Sequence, residues 1–504
     1  MQKLSRIFNT NLKYVVVAIL LAVPLYPKFP LFSVPGTYVS IRLEDVLLGI
    51  LFIFLLYSAV PRIRSIWEQK IERSILLFLG VGLVSVISGI LLTKTVNPLI
   101  GILHWARRVE YFIPLFIGLL VVNKQPRTKQ SLHTPLFKSL CKNPRFSHNS
   151  LKSLFTASIH PRTESPRFSG SLNKPKNGLI WYFLRVLMIT IVVSFIYGFG
   201  QKYFSWPVIV TQNQEYAKGL ALRWVSGSHI NASFAGHYDL ASFLVLVLPM
   251  FVCLLFLLKE WKSRLIVLLV VFSGLWLMAN AVSRISVVSY LASITFSLLL
   301  IKKYKAIPIA LLVSIFFFGM SSSLLVRYER IFNVVRTQVQ KVISIPSVHQ
   351  IYATEALEFP LNEVQEEVVV EDRSTSIRLD VEWPRAIRAF KKNPLLGTGY
   401  SSITLATDSD YLRLLGEVGL LGLIAFLLIF VRLGDLMIKV LPTLKKLSIP
   451  EKAFLGGIIG SIPGVLLNAA FIDVFEASKF AIIFWLLIGI AVSLIRFELN
   501  EQNT

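Results

Sequence analysis

Twelve apolar runs, spaced along most of the chain, limit what it can fold into. They fall at roughly 14–32, 45–60, 74–93, 98–122, 179–200, 236–258, 265–281, 286–301, 306–325, 411–431, 452–470 and 480–496. A helix rises about 1.5 Å per residue, so about 20 apolar residues cross roughly 30 Å of hydrocarbon. Several runs reach that length, and the 16-residue runs reach it with their flanks. The expected fold is an all-α membrane protein with about twelve transmembrane helices. The charged fraction agrees, being 16% where an average soluble domain carries about 25%.

The net charge of +24 raises the question of nucleic acid. Placement answers it, because the Lys and Arg collect in connections between apolar runs. With twelve spans, the basic connections 1–13, 61–73, 123–178, 259–264, 302–305 and 432–451 all fall on one side. That is the positive-inside pattern, with both termini cytoplasmic and no nucleic-acid partner. Lys3, Arg6 and Lys13 precede the first run, but no small-residue cleavage site follows, so it reads as a retained span. The two cysteines, Cys141 and Cys253, give no disulfide framework.

Five regions follow. Residues 1–123 hold spans one to four, and 179–325 hold spans five to nine. Between them, 124–178 is Ser/Pro-rich and basic, and reads as a disordered cytoplasmic loop touching anionic headgroups. Residues 326–410 form a long extracytoplasmic loop, partly helical and amphipathic, and 411–504 hold spans ten to twelve. Within the long loop, 355–372 is acidic and reads as a solvated insertion.

The chemistry gathers on the extracytoplasmic side. Arg223 and Arg284 flank apolar runs, and Arg107 and Arg108 sit near the outer end of the fourth run beside Glu110. An Arg at a membrane border needs a partner or a task, and planar guanidinium groups bind phosphate oxygens bidentately. Simple snorkelling, or an ion pair with Glu110, is the plainer reading of these arginines. Arg378 and Arg385 lie in an amphipathic stretch ahead of Asn393-Pro394 and Gly397-Thr398-Gly399, where the glycines predict a turn needing positive φ. Asp408 and Asp410 precede the tenth run and allow three readings: a base for an acceptor hydroxyl, a helix N-cap, or, less favoured, a Mg²⁺ or Mn²⁺ site. His229 and His237 stand without a zinc motif. No nucleotide loop is present, and neither cofactor nor metal is expected.

Three stretches together resemble the O-antigen ligase / O-antigen polymerase superfamily of bacterial membrane glycosyltransferases. They are RWVSGSHINASFAGHYDLASFLVLVLP (223–249), the turn at Ser283-Arg284, and EWPRAIRAFKKNPLLGTGYSSITLATDSDYLRLLGEVGLLG (382–422). The last resembles the family's N-P-L-x-G-x-G turn followed by Tyr411, Leu412, Glu417, Gly419 and Gly422. The resemblance implies a glycan carried on polyprenyl diphosphate and moved en bloc to a glycan, lipid or protein acceptor at the outer face of the plasma membrane. Arg223 and Arg284 match positions thought to hold the diphosphate, with Arg107, Arg108, Arg378, Arg385 and Glu417 in support. Asp408-Ser409 stands where the family's ligases carry His-Asn, which leaves polymerase versus ligase open. The competing classes are a transporter or flippase, which predicts internal repeats and midplane charges, and a non-catalytic scaffold whose outer loop binds a partner.

Overall fold

A computed structural model describes residues 2–27, 30–33, 40–59, 68–123, 178–210, 220–222, 228–319, 377–403 and 407–503. The first half holds α1 (Gln2–Leu25), β1 (Pro30–Ser33), β2 (Ser40–Arg42), α2 (Leu43–Ala59), α3 (Lys70–Leu91), α4 (Pro98–Asn123) and α5 (Gly178–Tyr203). It continues through β3 (Val208–Val210), β4 (Leu220–Leu222), α6 (His237–Leu257), α7 (Trp261–Ala281), α8 (Arg284–Leu300) and α9 (Ala306–Gly319). A π-helical turn, Ile377–Glu382, leads into α10 (Trp383–Lys392), then α11 (Asp410–Glu417), α12 (Gly419–Val440), α13 (Ile449–Ala469) and α14 (Ser478–Asn503). The strands form two small antiparallel hairpins, β1–β2 and β3–β4.

The protein is all-α and membrane-type. Among the described residues, seven helices are long and apolar enough to cross a membrane, and three shorter apolar helices accompany them. Each apolar run of the sequence overlaps a helix, with two corrections. The run expected at 14–32 is helical only to Leu25, and Pro30–Ser33 at its end is strand β1. The run expected at 411–431 is two helices, α11 and α12, broken where Gly419 takes φ +74°. The physical reason is charge: Asp410, Arg413 and Glu417 all fall in α11 and need protein partners rather than lipid. The basic loop at 124–178 up to residue 177, the acidic insertion 355–372 and most of the 326–410 loop lie outside the described residues.

Small residues let the central helices close up. Ser286, Ser289, Ser293 and Ser297 of α8 are buried, and a Cβ on Gly460 or Gly464 of α13 would overlap Ser297 or Ser293. Such contacts replace the hydrophobic effect, which is absent between helices in lipid. The pairs Ser286–Asn468 (3.1 Å) and Ser293–Ser461 (3.5 Å) make α8 and α13 antiparallel. Arg108 reaching the Phe475 carbonyl (3.1 Å) and Ser493 reaching that of Leu119 (2.9 Å) make α4 and α14 parallel. One end of the bundle therefore carries the starts of α4, α8, α12 and α14, the end of α13, and both α10 and α11. The opposite end carries the basic connections 259–264, 302–305 and 441–448, and a bidentate Arg496–Glu72 pair at 2.6 and 2.8 Å.

The glycine turn interlocks with the α11–α12 junction. Gly397 and Gly399 take φ +68° and +90°. The Thr398 and Gly399 amides donate to the carbonyls of Gly416 (3.0 Å) and Glu417 (2.8 Å), while Leu420 and Leu421 donate to those of Pro394 (2.9 Å) and Leu395 (3.2 Å). Ser85 of α3 donates to the carbonyls of Leu396 (2.6 Å) and Glu417 (2.7 Å). The turn thus takes up backbone groups that the first turn of α12 would leave unpaired. It also fixes α11 beside α10.

Candidate active site at one end of the bundle

The site is assembled around two connections: the chain leading into α11, and residues 470–477 between α13 and α14. Asp473 joins them. Its carboxylate accepts the amides of Thr407 (2.9 Å) and Ser409 (2.9 Å) and one guanidinium N–H of Arg413 (3.0 Å). Ser409, not either aspartate, is the N-cap of α11, its hydroxyl accepting from the Leu412 amide at 3.4 Å. Between those residues Asp408 adopts φ +48°, a left-handed conformation that Asp tolerates better than most residues. That twist faces its side chain to Arg378.

Arg378 donates its Nε–H to Asp408 Oδ2 at 2.9 Å and completes the ion pair with Nη2 at 2.8 Å from the same oxygen. The Tyr238 side chain, at the start of α6, also faces this guanidinium. Burial pushes the Asp408 carboxyl above its usual range, Arg378 pulls it back, and Asp473 pushes it further up. Asp410 has a different surrounding. It is fully enclosed, and both its oxygens accept from the Phe475 amide (3.1 and 3.3 Å). Burial, with Asp473 beside it, holds that carboxyl well above the normal range, against the Phe475 amide. Asp410 is thereby a clamp on the 470–477 connection, not an accessible base.

The other residues expected at the site divide. Arg385 lies near Glu382 on α10, Glu417 faces Arg413 at 3.7 Å, and Arg413 also faces Glu476 at 3.6 Å. Arg107 and Arg108 do not pair with neighbouring Glu110 alone. Arg107 meets Asp45 of α2 at 3.8 Å, and Arg108 forms an ion pair with Glu476. Arg284 opens α8, whose first turn bonds Asn468 at the end of α13, five residues before Asp473. It is therefore at the same end of the bundle as Asp408. Arg223 lies outside the described residues. Among the described residues, no three His, Cys, Asp or Glu side chains gather as a cation site. Asp408 and Asp410 are each turned to a nitrogen donor instead.

Four contributors went unread in the sequence: Tyr238, Arg413, Asp473 and Glu476. Only Arg413 carried a local signal, the Arg413–Glu417 spacing of four inside an apolar run, which marks a helix with a charged face. Asp473 and Glu476 are lone acids in a short connection, and their partners are distant in sequence, Arg413 lying 60 residues before Asp473 and Arg108 far earlier than Glu476.

These features define a polytopic helical membrane protein with an arginine- and carboxylate-lined site at one end. Residues 268–427, about a third of the chain, match the family described as O-Antigen ligase, and this match supports the O-antigen ligase/polymerase superfamily. No curated protein matches the chain. The matched region includes Arg284, Arg378, Glu382, Arg385, Asp408, Asp410, Arg413 and Glu417. The match supports, in general, a function of the O-antigen ligase/polymerase type in polysaccharide biosynthesis, and with the apolar helices it points to a bacterial membrane protein.

Proposed function

We propose that the protein is a glycosyltransferase of the inner membrane, moving a polyprenyl-diphosphate-linked glycan onto an acceptor hydroxyl at the extracytoplasmic face. The observation that carries this reading is the Arg378–Asp408 pair, held at one bundle end within the family-matched region. A diphosphate leaving group needs its charge neutralised, and fixed guanidinium groups supply that without reorganisation. Arg284 at the start of α8 and Arg223 are the donor-holding arginines in this proposal, and Arg378 is their neighbour on the acceptor side. Bond energy in the lipid diphosphate drives transfer, so no nucleotide or metal is invoked. The exposed apolar residues Ile377, Leu379, Val381 and Ile387 beside exposed Lys391 and Lys392 suit a helix lying in the headgroup layer. Twelve spans with cytoplasmic termini complete the proposal.

The expected result is that Arg284→Ala and Arg378→Ala each lower transfer by about 10²–10³-fold, the scale of losing one preorganised charge-stabilising donor. The assay uses purified protein in vesicles with lipid-linked glycans extracted from source cells lacking the gene. Wild-type rates in both variants end the proposal. Sidedness is read separately. A cysteine replacing Lys391 should react with an impermeant thiol reagent added to intact spheroplasts, and one replacing Lys446 should not.

A further inference from the structure

Among the buried polar side-chain atoms without a hydrogen-bond partner are four on the segments around Asp408: Glu382 Oε2, Trp383 Nε1, Arg385 Nη1 and Thr407 Oγ1. Folded proteins satisfy nearly all such atoms, because each orphan costs stability. Here the four fall on two short segments, 382–385 and Thr407. The same surroundings join those segments: Glu382 feels Asp408 and Asp473, and the Thr407 amide bonds Asp473 at 2.9 Å. Thr407 is completely buried, and the Trp383 ring is set at 6.2 Å from that of Phe471. The set holds an acceptor, two donors and a hydroxyl that can do both, beside an indole face. That combination is complementary to a polyhydroxylated ring, which offers alternating donors and acceptors and an apolar face.

The two aspartates are poorly placed to take a proton. Asp408 Oδ2 is engaged by the Arg378 guanidinium, and Asp410 is enclosed on the Phe475 amide. Glu382 brings an uncommitted carboxylate oxygen, Oε2, into this set. We propose that Glu382 takes the proton from the acceptor hydroxyl, and that Trp383, Arg385 and Thr407 hold the acceptor sugar around it. This rests on the transferase reading above. In the step, the acceptor oxygen bonds to the anomeric carbon of the donor glycan as the bond from that carbon to the diphosphate oxygen breaks. The hydroxyl proton goes to Glu382, and the bonding pair leaves with the polyprenyl diphosphate. The groups facing Glu382 are Asp408 and Asp473 from the two connections, Arg378 from the π turn and Arg385 from α10. Burial first, then Asp408 and Asp473, push its carboxyl up to about 7, against the two arginines. A base at that value is matched to its task near neutral pH.

The test measures transfer rate against pH with the vesicle assay and extracted lipid-linked glycans described above. Only the carboxylate form accepts a proton, so the wild-type rate should fall about tenfold per pH unit below about 7. Glu382→Gln should lower the rate about 10²–10⁴-fold and abolish that limb, while retention of radiolabelled donor on the protein stays at the wild-type level. Trp383→Ala and Arg385→Ala should raise KM for the acceptor more than they lower kcat. An active wild type with Glu382→Gln unchanged in rate and pH profile overturns the assignment and leaves the transferase reading standing, as does loss of donor retention in Glu382→Gln. A wild type that transfers no glycan removes the transferase reading itself. If Glu382→Gln fails to accumulate in membranes, Glu382→Asp decides: a lowered kcat with the acidic limb kept supports the role, and an unchanged kcat overturns it.

Discussion

Replacing Arg413 by leucine is expected to cost about 3–5 kcal/mol, the scale of breaking a buried charge pair from one side. Arg413 donates to Asp473 at 3.0 Å and to the Ile403 carbonyl at 3.3 Å, with Glu417 at 3.7 Å and Glu476 at 3.6 Å. Without it, three carboxylates stand close together with a deficit of positive charge. Arg108 remains on Glu476, but Asp473 and Glu417 lose their nearest cation. Two amides then hold Asp473 alone, and the stretch carrying Asp408 loosens. Transfer should be lost together with stability. The measurement is the thermal unfolding midpoint of detergent-purified protein, alongside the transfer assay. A midpoint within a degree of wild type would mean that the carboxylates are neutral or solvated. A cycle with Asp473→Asn separates the pair from the rest: coupling below about 0.5 kcal/mol would remove Asp473 as the principal partner.

Gly419→Ala is expected to prevent accumulation of folded protein. At φ +74° a Cβ is strained by about 1–3 kcal/mol. That Cβ would also overlap the Leu395 carbonyl and the Gly397 amide, and overpacking adds typically about 1–3 kcal/mol. Backbone cannot yield there, because Leu420 and Leu421 are bonded to Pro394 and Leu395. Gly434 is the internal control. It lies on the same helix, and a Cβ there meets nothing within 4 Å. Gly434→Ala should be neutral or stabilise by up to about 1 kcal/mol. Membrane accumulation and protease resistance of the two variants distinguish the outcomes, and equal behaviour would rule out the interlocked turn.

Much of this was legible before any coordinates. Apolar length located the long helices of the bundle, because hydrocarbon thickness leaves few alternatives. Gly397 and Gly399 announced a positive-φ turn, and Arg378 and Asp408 were already named as site residues. Their pairing was not readable, since Asp408 turns toward Arg378 only through its left-handed backbone. Asp410 looked equivalent to Asp408 from two positions away, yet one faces a guanidinium and the other a buried amide. The start of α12 was misplaced because Tyr411, Leu412, Leu414 and Leu415 are as apolar as a span. Only the partners of Arg413 and Glu417 show why those two turns stay within protein.

The anchoring of Asp473 has a mechanical consequence. Only eight residues, 470–477, connect α13 to α14, and α14 is among the most enclosed helices of the bundle. Any tilt of one against the other drags this carboxylate, and Thr407, Ser409 and Arg413 must travel with it. The carboxylate-lined end of the site is thus geared to the packing of the deepest helices. A bulky lipid wedging them apart would be felt directly at the reacting groups.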